Sequence, residues 1–403
     1  MNPWRGLGAL PREIWFLCLA ILINRAGTMV LPFLTLYLTL DKKLPAKTAA
    51  LTITAYGIAA IIVAPLSGRL SDRFGGLRII KLSLLFNGLI LFVFPFIESF
   101  GGILATTALW AIANEAFRPP SMAIIGDLAG PTHRKSAFAL TRLAINLGMS
   151  IGPVIGGFLA MRSFKLLFYV DGATALLAGL LIILLPWRSQ PTVETPVEET
   201  DSNSACVSRY SDVLKDRRFI YFLAAMIPIE LVFFQPLAAM PLFLVGDLHM
   251  TEAGFGMLLA INTVIIILIE VPLNSRMADW PHRRALALGA LLVGIGFGAL
   301  AFVENVLAAA LTVVIWTFGE MIILPASAAY VSDIAPRERA GAYMGLYTMG
   351  FSVAVAVGPW LGTQGLENFG PRVVWIGTFC CGCITATAMW FLRNEKVIDS
   401  TCP

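Results

Sequence analysis

The sequence predicts an all-α membrane protein: twelve transmembrane helices in two six-helix, pseudo-symmetric bundles. Three observations carry that expectation. Of the 403 residues, 58% are hydrophobic and only 13% charged, where a soluble domain carries roughly 25% charged residues. The apolar residues gather into runs of about 20, the length a helix needs to cross a bilayer core. Residues of the first half also recur in the second at a nearly constant offset. The alternation of a membrane β-barrel is absent, which leaves helices as the elements that satisfy their own amides in lipid.

Taken in order, the spans fall near residues 14–40, 48–70, 79–97, 101–125, 136–161 and 165–187. A second set follows near 218–245, 251–275, 285–303, 306–331, 340–363 and 371–392. The first begins after Pro11, Arg12 and Glu13 and is too long for the core of a signal peptide, so it is expected to be retained. Residues 188–217, rich in Pro, Thr, Glu and Ser, form the one long polar stretch and read as a cytoplasmic linker between bundles 1–187 and 218–403. Within it, residues 208–218 suit a short interfacial helix.

Basic residues set orientation. With both ends inside, only Lys42, Lys43, Lys47, Arg162, Lys165 and Arg372 lie in outer loops, while most of the other lysines and arginines lie on the inner side. A multi-pass protein of the cell (inner) membrane with cytoplasmic termini is the expectation. The net charge of +4 then reflects topology and anionic lipid rather than a nucleic-acid partner. Cys380, Cys381 and Cys383 fall inside the last span and read as small buried residues.

The repeat is specific. Glu115 and Glu320 each precede a proline, Pro120 and Pro325, by five residues; Arg134 matches Arg339, Ala137 matches Ala342, and Gly152-Pro153 matches Gly358-Pro359. Asp72 matches Asp279. These offsets of 205 to 207 describe a parallel repeat of the kind that places a substrate site between two halves near mid-membrane.

Two motifs lie on this frame. Residues 68–78 (GRLSDRFGGLR) form a short cationic loop between spans 2 and 3, with Gly68, Asp72, Arg73, Gly75 and Arg78 in a GxLxDRxG pattern. In span 5, Gly148, Gly152, Pro153, Gly156 and Gly157 spell GxxxGPxxGG. Its glycines recur every fourth residue, so a neighbouring backbone can approach one helix face. Pro153 removes one helical hydrogen bond and permits a bend. The loop resembles the signature of the major facilitator superfamily, and the glycine pattern resembles the antiporter motif of its twelve-span drug:proton exporters. The resemblance implies that spans 1, 4, 7 and 10 line a central cavity and that Asp72 caps span 11 near Gly341 as a gate. Two departures stand out: Gly76 replaces a basic residue, and residues 104–114 lack the arginine that such exporters often carry in span 4.

An ionisable side chain at bilayer depth costs at least about 2.5 kcal/mol, so each one needs a reason. Arg25, Glu115, Arg118, Arg142, Asp171, Glu230, Glu270 and Glu320 fall inside spans. Arg25, Glu115, Glu230 and Glu320 sit near mid-depth, in spans 1, 4, 7 and 10. Substrate contact or proton coupling is one reading of these four. A structural ion pair is the other, and Glu115 with Arg118 is the easiest to form, three residues apart on one helix. Asp171 and Glu270 lie nearer span ends and read as structural groups able to snorkel to the interfaces. Phe33, Tyr37, Trp110, Phe233, Phe234 and Trp316 offer aromatic surface to a substrate or, as aromatics in spans more often do, packing.

The chain lacks the phosphate loop of an ATPase and the nucleophile elbow of a hydrolase, and its three histidines fall in loops, so an enzyme is not expected. The expectation is a monomeric secondary active transporter, without cofactor and driven by a proton gradient, that exports a small amphiphilic or drug-like solute. Its partners would be that small molecule, protons and membrane lipid. Two alternatives stay open: a proton symporter importing a peptide, siderophore or other zwitterion, and a non-transporting receptor or scaffold.

Overall fold

Every predicted apolar run is helical in the computed structural model, which describes Gly8 and residues 10–187, 213–277, 279–336 and 339–392, without the side chains of Ala64, Pro65, Asp72, Pro131, Thr132, Arg134, Lys135, Ala340 and Gly341. The first half contains α1 (Arg12–Gly27), α2 (Val30–Leu36), α3 (Ala46–Phe74), α4 (Gly76–Val93), α5 (Phe100–Ala116), α6 (Arg118–Arg162) and α7 (Phe164–Leu184). The second contains α8 (Arg217–Phe233), α9 (Glu252–Arg276), α10 (His282–Gly298), α11 (Val306–Ile334), α12 (Ala340–Phe369) and α13 (Pro371–Trp390). Among the described residues there is no strand. Most of the expected 188–217 linker and of the 208–218 helix lies outside the described residues.

Among the described residues, eleven helices are long and apolar enough to cross a membrane. Over the predicted span 101–125 the helix breaks at Phe117: α5 is 17 residues long, and α6 starts at Arg118 with Pro119 and Pro120 in its first turn. Proline is tolerated there because a first-turn N–H has no helical partner to lose. The 45-residue α6 is itself divided at Gly130, whose φ of 61° and ψ of 175° are non-helical. Glycine carries no Cβ to oppose that turn. Pro325, by contrast, lies inside an unbroken α11.

The first span is discontinuous, which its apolar sequence does not announce. α1 stops at Gly27, Thr28 leaves the helix at ψ 81°, and α2 restarts at Val30 before a π-helical turn, Tyr37–Asp41. The new N-terminus is capped from α7: Asp171 accepts hydrogen bonds from the amides of Met29 (3.2 Å) and Val30 (3.1 Å). A carboxylate at a helix start meets unpaired amides and the positive end of the dipole. Asp171 is 3% exposed, so the expectation that it snorkels to an interface is wrong.

The glycines of the GxxxGPxxGG pattern back this break. A Cβ on Gly148 would sit 2.5 Å from the Arg25 Cβ, one on Gly152 would face the carbonyls of Arg25, Ala26 and Thr28 at 3.0 to 3.2 Å, and one on Gly156 would meet the Met29 Cβ at 2.8 Å. The second half repeats the device. α8 ends at Phe233, a 3-10 turn spans Gln235–Leu237, and a π-helical turn follows at Leu242–Asp247. There Gln235 donates to the carbonyls of Leu231 (2.9 Å) and Gly358 (3.0 Å), and Gly358 lies against the Leu231 carbonyl.

The halves meet closely on the face opposite residues 68–78. There α6 packs on α9 and α3 on α12. A Cβ on Gly157 would lie 2.5 Å from the Glu252 carbonyl, Gly256 abuts the Pro153 carbonyl, and Gly57 faces the Ala356 backbone. Thr35 donates to the Leu237 carbonyl at 2.8 Å, and the Lys47 amide donates to Glu367 at 2.8 Å. One large apolar core runs through both halves, and a smaller one joins α1, α4, α6 and α7. Phe33, Tyr37, Trp110 and Trp316 belong to the large core, at 0 to 4% exposure, so they pack rather than offer surface to a ligand. Cys380 is exposed and Cys381 and Cys383 are half-buried, against the expectation of three buried thiols; only Cys381 packs on the large core, and Cys383 borders a groove beside α10.

Candidate functional site

Of the mid-depth charges, Arg25 lies in the last turn of α1, just before the break. It is half-buried, its Nε is enclosed with no hydrogen-bond partner among the described residues, and its charge reaches Tyr56 and Asp171. Glu115, near the end of α5, accepts from the Tyr56 hydroxyl at 2.8 Å and from Asn114 at 3.3 Å, while Asn114 also donates to the Tyr56 oxygen at 2.7 Å. Trp110 holds the Tyr56 ring edge-on, 5.1 Å between centroids. The Glu115–Arg118 pair is not formed; Arg118 is exposed.

Glu320 in α11 occupies the matching place in the second half. It accepts from Asn262 of α9 at 2.7 Å, and Asn262 also donates to Thr317 at 3.0 Å. Asn262 stands 206 positions after Tyr56, so the repeat preserves the location of each acid's donor and changes its chemistry from phenol to carboxamide. Sequence reasoning missed both donors, although the offset that paired the two glutamates also pairs these.

Glu230 stands 205 positions after Arg25, so equivalent sites in α1 and α8 carry opposite charge. Its carboxyl is buried against α12, with Oε2 3.0 Å from where a Gly350 Cβ would lie, and its Oε1 has no partner among the described residues. Tyr347, whose hydroxyl shares a 2.6 Å hydrogen bond with Ser327, is the polar neighbour that feels its charge.

The four mid-depth residues therefore form three groups rather than one: Arg25 with Glu115 through Tyr56, Glu320 with Asn262, and Glu230 alone. A further charge joins the second group. Arg142 of α6 makes an ion pair with Glu270 of α9, across the two halves, and both charges reach Glu320. The Glu270 side chain is 8% exposed and that of Arg142 59%, so Glu270 does not snorkel to the interface; it is buried against a cation from the other half.

This asymmetry makes a prediction. Arg142→Gln strands a buried carboxylate, whereas Glu270→Gln leaves a guanidinium that the protein only partly covers; only the first incurs the full penalty of an uncompensated buried charge. The Arg142→Gln protein should melt several degrees below Glu270→Gln in a detergent thermal-unfolding assay, and the double variant should resemble Glu270→Gln. Equal losses in the two single variants would contradict the argument.

The expected 68–78 loop is helical except for one residue: α3 continues to Phe74 and α4 starts at Gly76, so Gly75 alone makes the turn at φ 90°, and Arg73 lies over the Phe74 ring at 5.4 Å. Gly68 has open space at its Cβ position, and Arg73 and Arg78 are exposed. The Asp72 side chain and its expected contact near Gly341 lie outside the described residues. Among the described residues, no group of His, Cys, Asp and Glu could hold a metal ion.

Comparisons with known proteins fit this architecture. Multidrug resistance protein 1 of Bacillus subtilis (strain 168) is 28% identical over 77% of this chain and 78% of its own length. A Na(+), Li(+), K(+)/H(+) antiporter of Planococcus maritimus is 23% identical over 84% of this chain and 85% of its own. In fold, the chain matches the crystal structure of a POT family transporter in complex with 5-aminolevulinic acid, with a TM-score of 0.78, 16% identity and 96% of both chains covered. The family model described as Major Facilitator Superfamily matches residues 17–245 and 236–401. Two broken spans backed by glycine stripes, matching acids in matching helices and this match along the chain lead to one assignment: the chain belongs to the Major Facilitator Superfamily, as a multi-pass membrane transporter and not an enzyme.

Proposed function

We propose that the chain is a proton-coupled antiporter that exports a small amphiphilic solute by alternating access. The scaffold is twelve spans in two six-span bundles, 1–187 and 218–403, joined by the 188–217 linker, with α5 and the first turns of α6 as the fourth span. The protein sits as a monomer in the inner membrane with both termini in the cytoplasm, and the proton gradient is its energy source.

One observation supports this reading most. Glu320 is held by the neutral donor Asn262, while the cation whose charge reaches it, Arg142, arrives from the other half. When the halves rock apart, the electrostatic surroundings of Glu320 change with them. A buried acid needs a counter-charge, and a proton can supply it when the arginine is withdrawn. Glu230, whose enclosed Oε1 has no partner among the described residues, is the second proton-carrying candidate, and the drug-resistance and antiporter relatives agree with the export direction. The loop of Gly68, Asp72, Arg73, Gly75 and Arg78 serves as the gate.

The alternative, a symporter for a zwitterion, is favoured by a different observation. The charges of Arg25 and Glu115 both reach Tyr56, so opposite charges lie around one residue, as a zwitterion requires. Reconstitution into proteoliposomes decides between them. With a lipophilic cation as the probe and an imposed pH gradient, antiport drives the probe against the proton flow; co-directional flux of protons and a dipeptide would replace the proposal with symport. Absence of any gradient-dependent flux, across cations and peptides alike, would favour the scaffold reading.

A further inference from the structure

The second half carries a groove between two of its helices, lined by none of the four mid-depth charges. α10 and α13 touch backbone to backbone at Gly294 and Gly382, where a Cβ on either would come within 2.7 Å of the other's Cα. Toward the start of α10 and the end of α13 the two helices leave a groove of about 720 Å³ between them. Leu288, Leu291 and Ala386 line its floor, and Trp280, Arg284 and Trp390 stand at its mouth. Small side chains along α13 make the space: the run from Cys380 to Ala388 contains no residue larger than Ile384. Both tryptophans are about half exposed, as suits rings at the level of lipid headgroups.

The mouth is cationic. Arg284 is exposed and has no acidic partner among the described residues. Arg283 lies over the Trp390 ring, 5.9 Å from its centroid, with a buried Nε that has no partner among the described residues. A nearby acid, Asp333, is occupied by His282 at 2.8 Å. α10 also begins behind Pro281 with no side chain capping its first amides, so the helix end adds positive potential at the same place. Counting spans puts this mouth on the membrane face that carries residues 68–78.

From this geometry we propose that the groove between α10 and α13 binds one anionic phospholipid, with its phosphate at Arg283 and Arg284 and an acyl chain along Leu288 and Leu291. A free phosphate would leave the apolar groove unfilled, and a zwitterionic lipid would bring its own cation to an already cationic mouth. Basic pockets between helices at the headgroup level suit such lipids, and each arginine near the surface contributes about fivefold in affinity.

Native mass spectrometry of the full chain in nonionic detergent tests this, with dioleoylphosphatidylglycerol or dioleoylphosphatidylcholine titrated in. One phosphatidylglycerol is expected to be retained at lipid concentrations where phosphatidylcholine is not. Arg284→Gln should weaken that retention about fivefold, and adding Arg283→Gln should weaken it further. Arg284 is exposed, so its replacement leaves the fold intact. Ala386→Trp fills the groove and keeps both charges, and should also lose the lipid. Equal retention of the two lipids, or undiminished phosphatidylglycerol in both Arg284→Gln and Ala386→Trp, overturns the site. Displacement by millimolar inorganic phosphate alone would assign it to a free anion and overturn the lipid.

Discussion

Replacing Glu320 by Gln should lower proton-driven flux of the transported solute in proteoliposomes by about 5- to 150-fold, the range of a coupling free energy of 1–3 kcal/mol. Glu230→Gln should do the same. The amide keeps each side chain's size and its capacity to accept one hydrogen bond, so Asn262 retains its partner at Glu320 and the fold is preserved. Only the group that can gain and lose a proton is removed. Exchange of labelled solute without a gradient should persist in both variants, because that exchange needs the halves to rock but no net proton movement. Glu115→Gln should have the smaller effect: both of its hydrogen-bond donors, a hydroxyl and an amide, belong to its own half, and the Arg25 charge that reaches the same tyrosine does too. Full gradient dependence in both Glu320→Gln and Glu230→Gln would remove these acids as coupling sites.

The second large effect is expected at a glycine. Gly256 of α9 abuts the Pro153 carbonyl, with Gly157 beside it against the α9 backbone. A side chain at Gly256 has nowhere to go but into the other half's main chain, and backbone does not yield as a flexible side chain does. Overpacking typically costs 1–3 kcal/mol and sometimes more, so Gly256→Leu should lose most of its folded yield and its thermal stability in detergent. Gly377 in α13 is the control, since a Cβ there meets nothing within 4 Å. Gly377→Ala should be neutral or mildly stabilising, because alanine is favoured over glycine in a helix by about 1 kcal/mol. A Gly256→Leu protein as stable as the Gly377→Ala protein would mean that the halves do not meet as described.

The apolar runs and the repeat were readable because both are local or periodic. A 20-residue apolar stretch has few other folds, and pairs such as Gly152 with Gly358 need only be counted. The bend in the first span was hidden because its cause is remote: Asp171 reaches Met29 from 142 positions away. The Arg142–Glu270 pair is hidden for the same reason, since its partners lie 128 positions apart in different halves. The faces of the last span were misjudged because α13 is apolar all round, and hydropathy alone does not distinguish a face against protein from one against lipid. For Trp110 and Trp316 the sequence leaves ligand surface and packing both open, with packing the commoner role, and their burial in the core decides for packing. The glutamates were found by their depth, and the donors Tyr56 and Asn262 were missed because a lone tyrosine or asparagine in an apolar helix attracts no notice until its equivalent is sought.

That exchange of donors has a consequence for how the transporter diversifies. A doubled gene begins with two interchangeable carboxyls, each answering to the same conditions. Once one copy leans on an aromatic alcohol and the other on an amide, selection can adjust either without disturbing its twin.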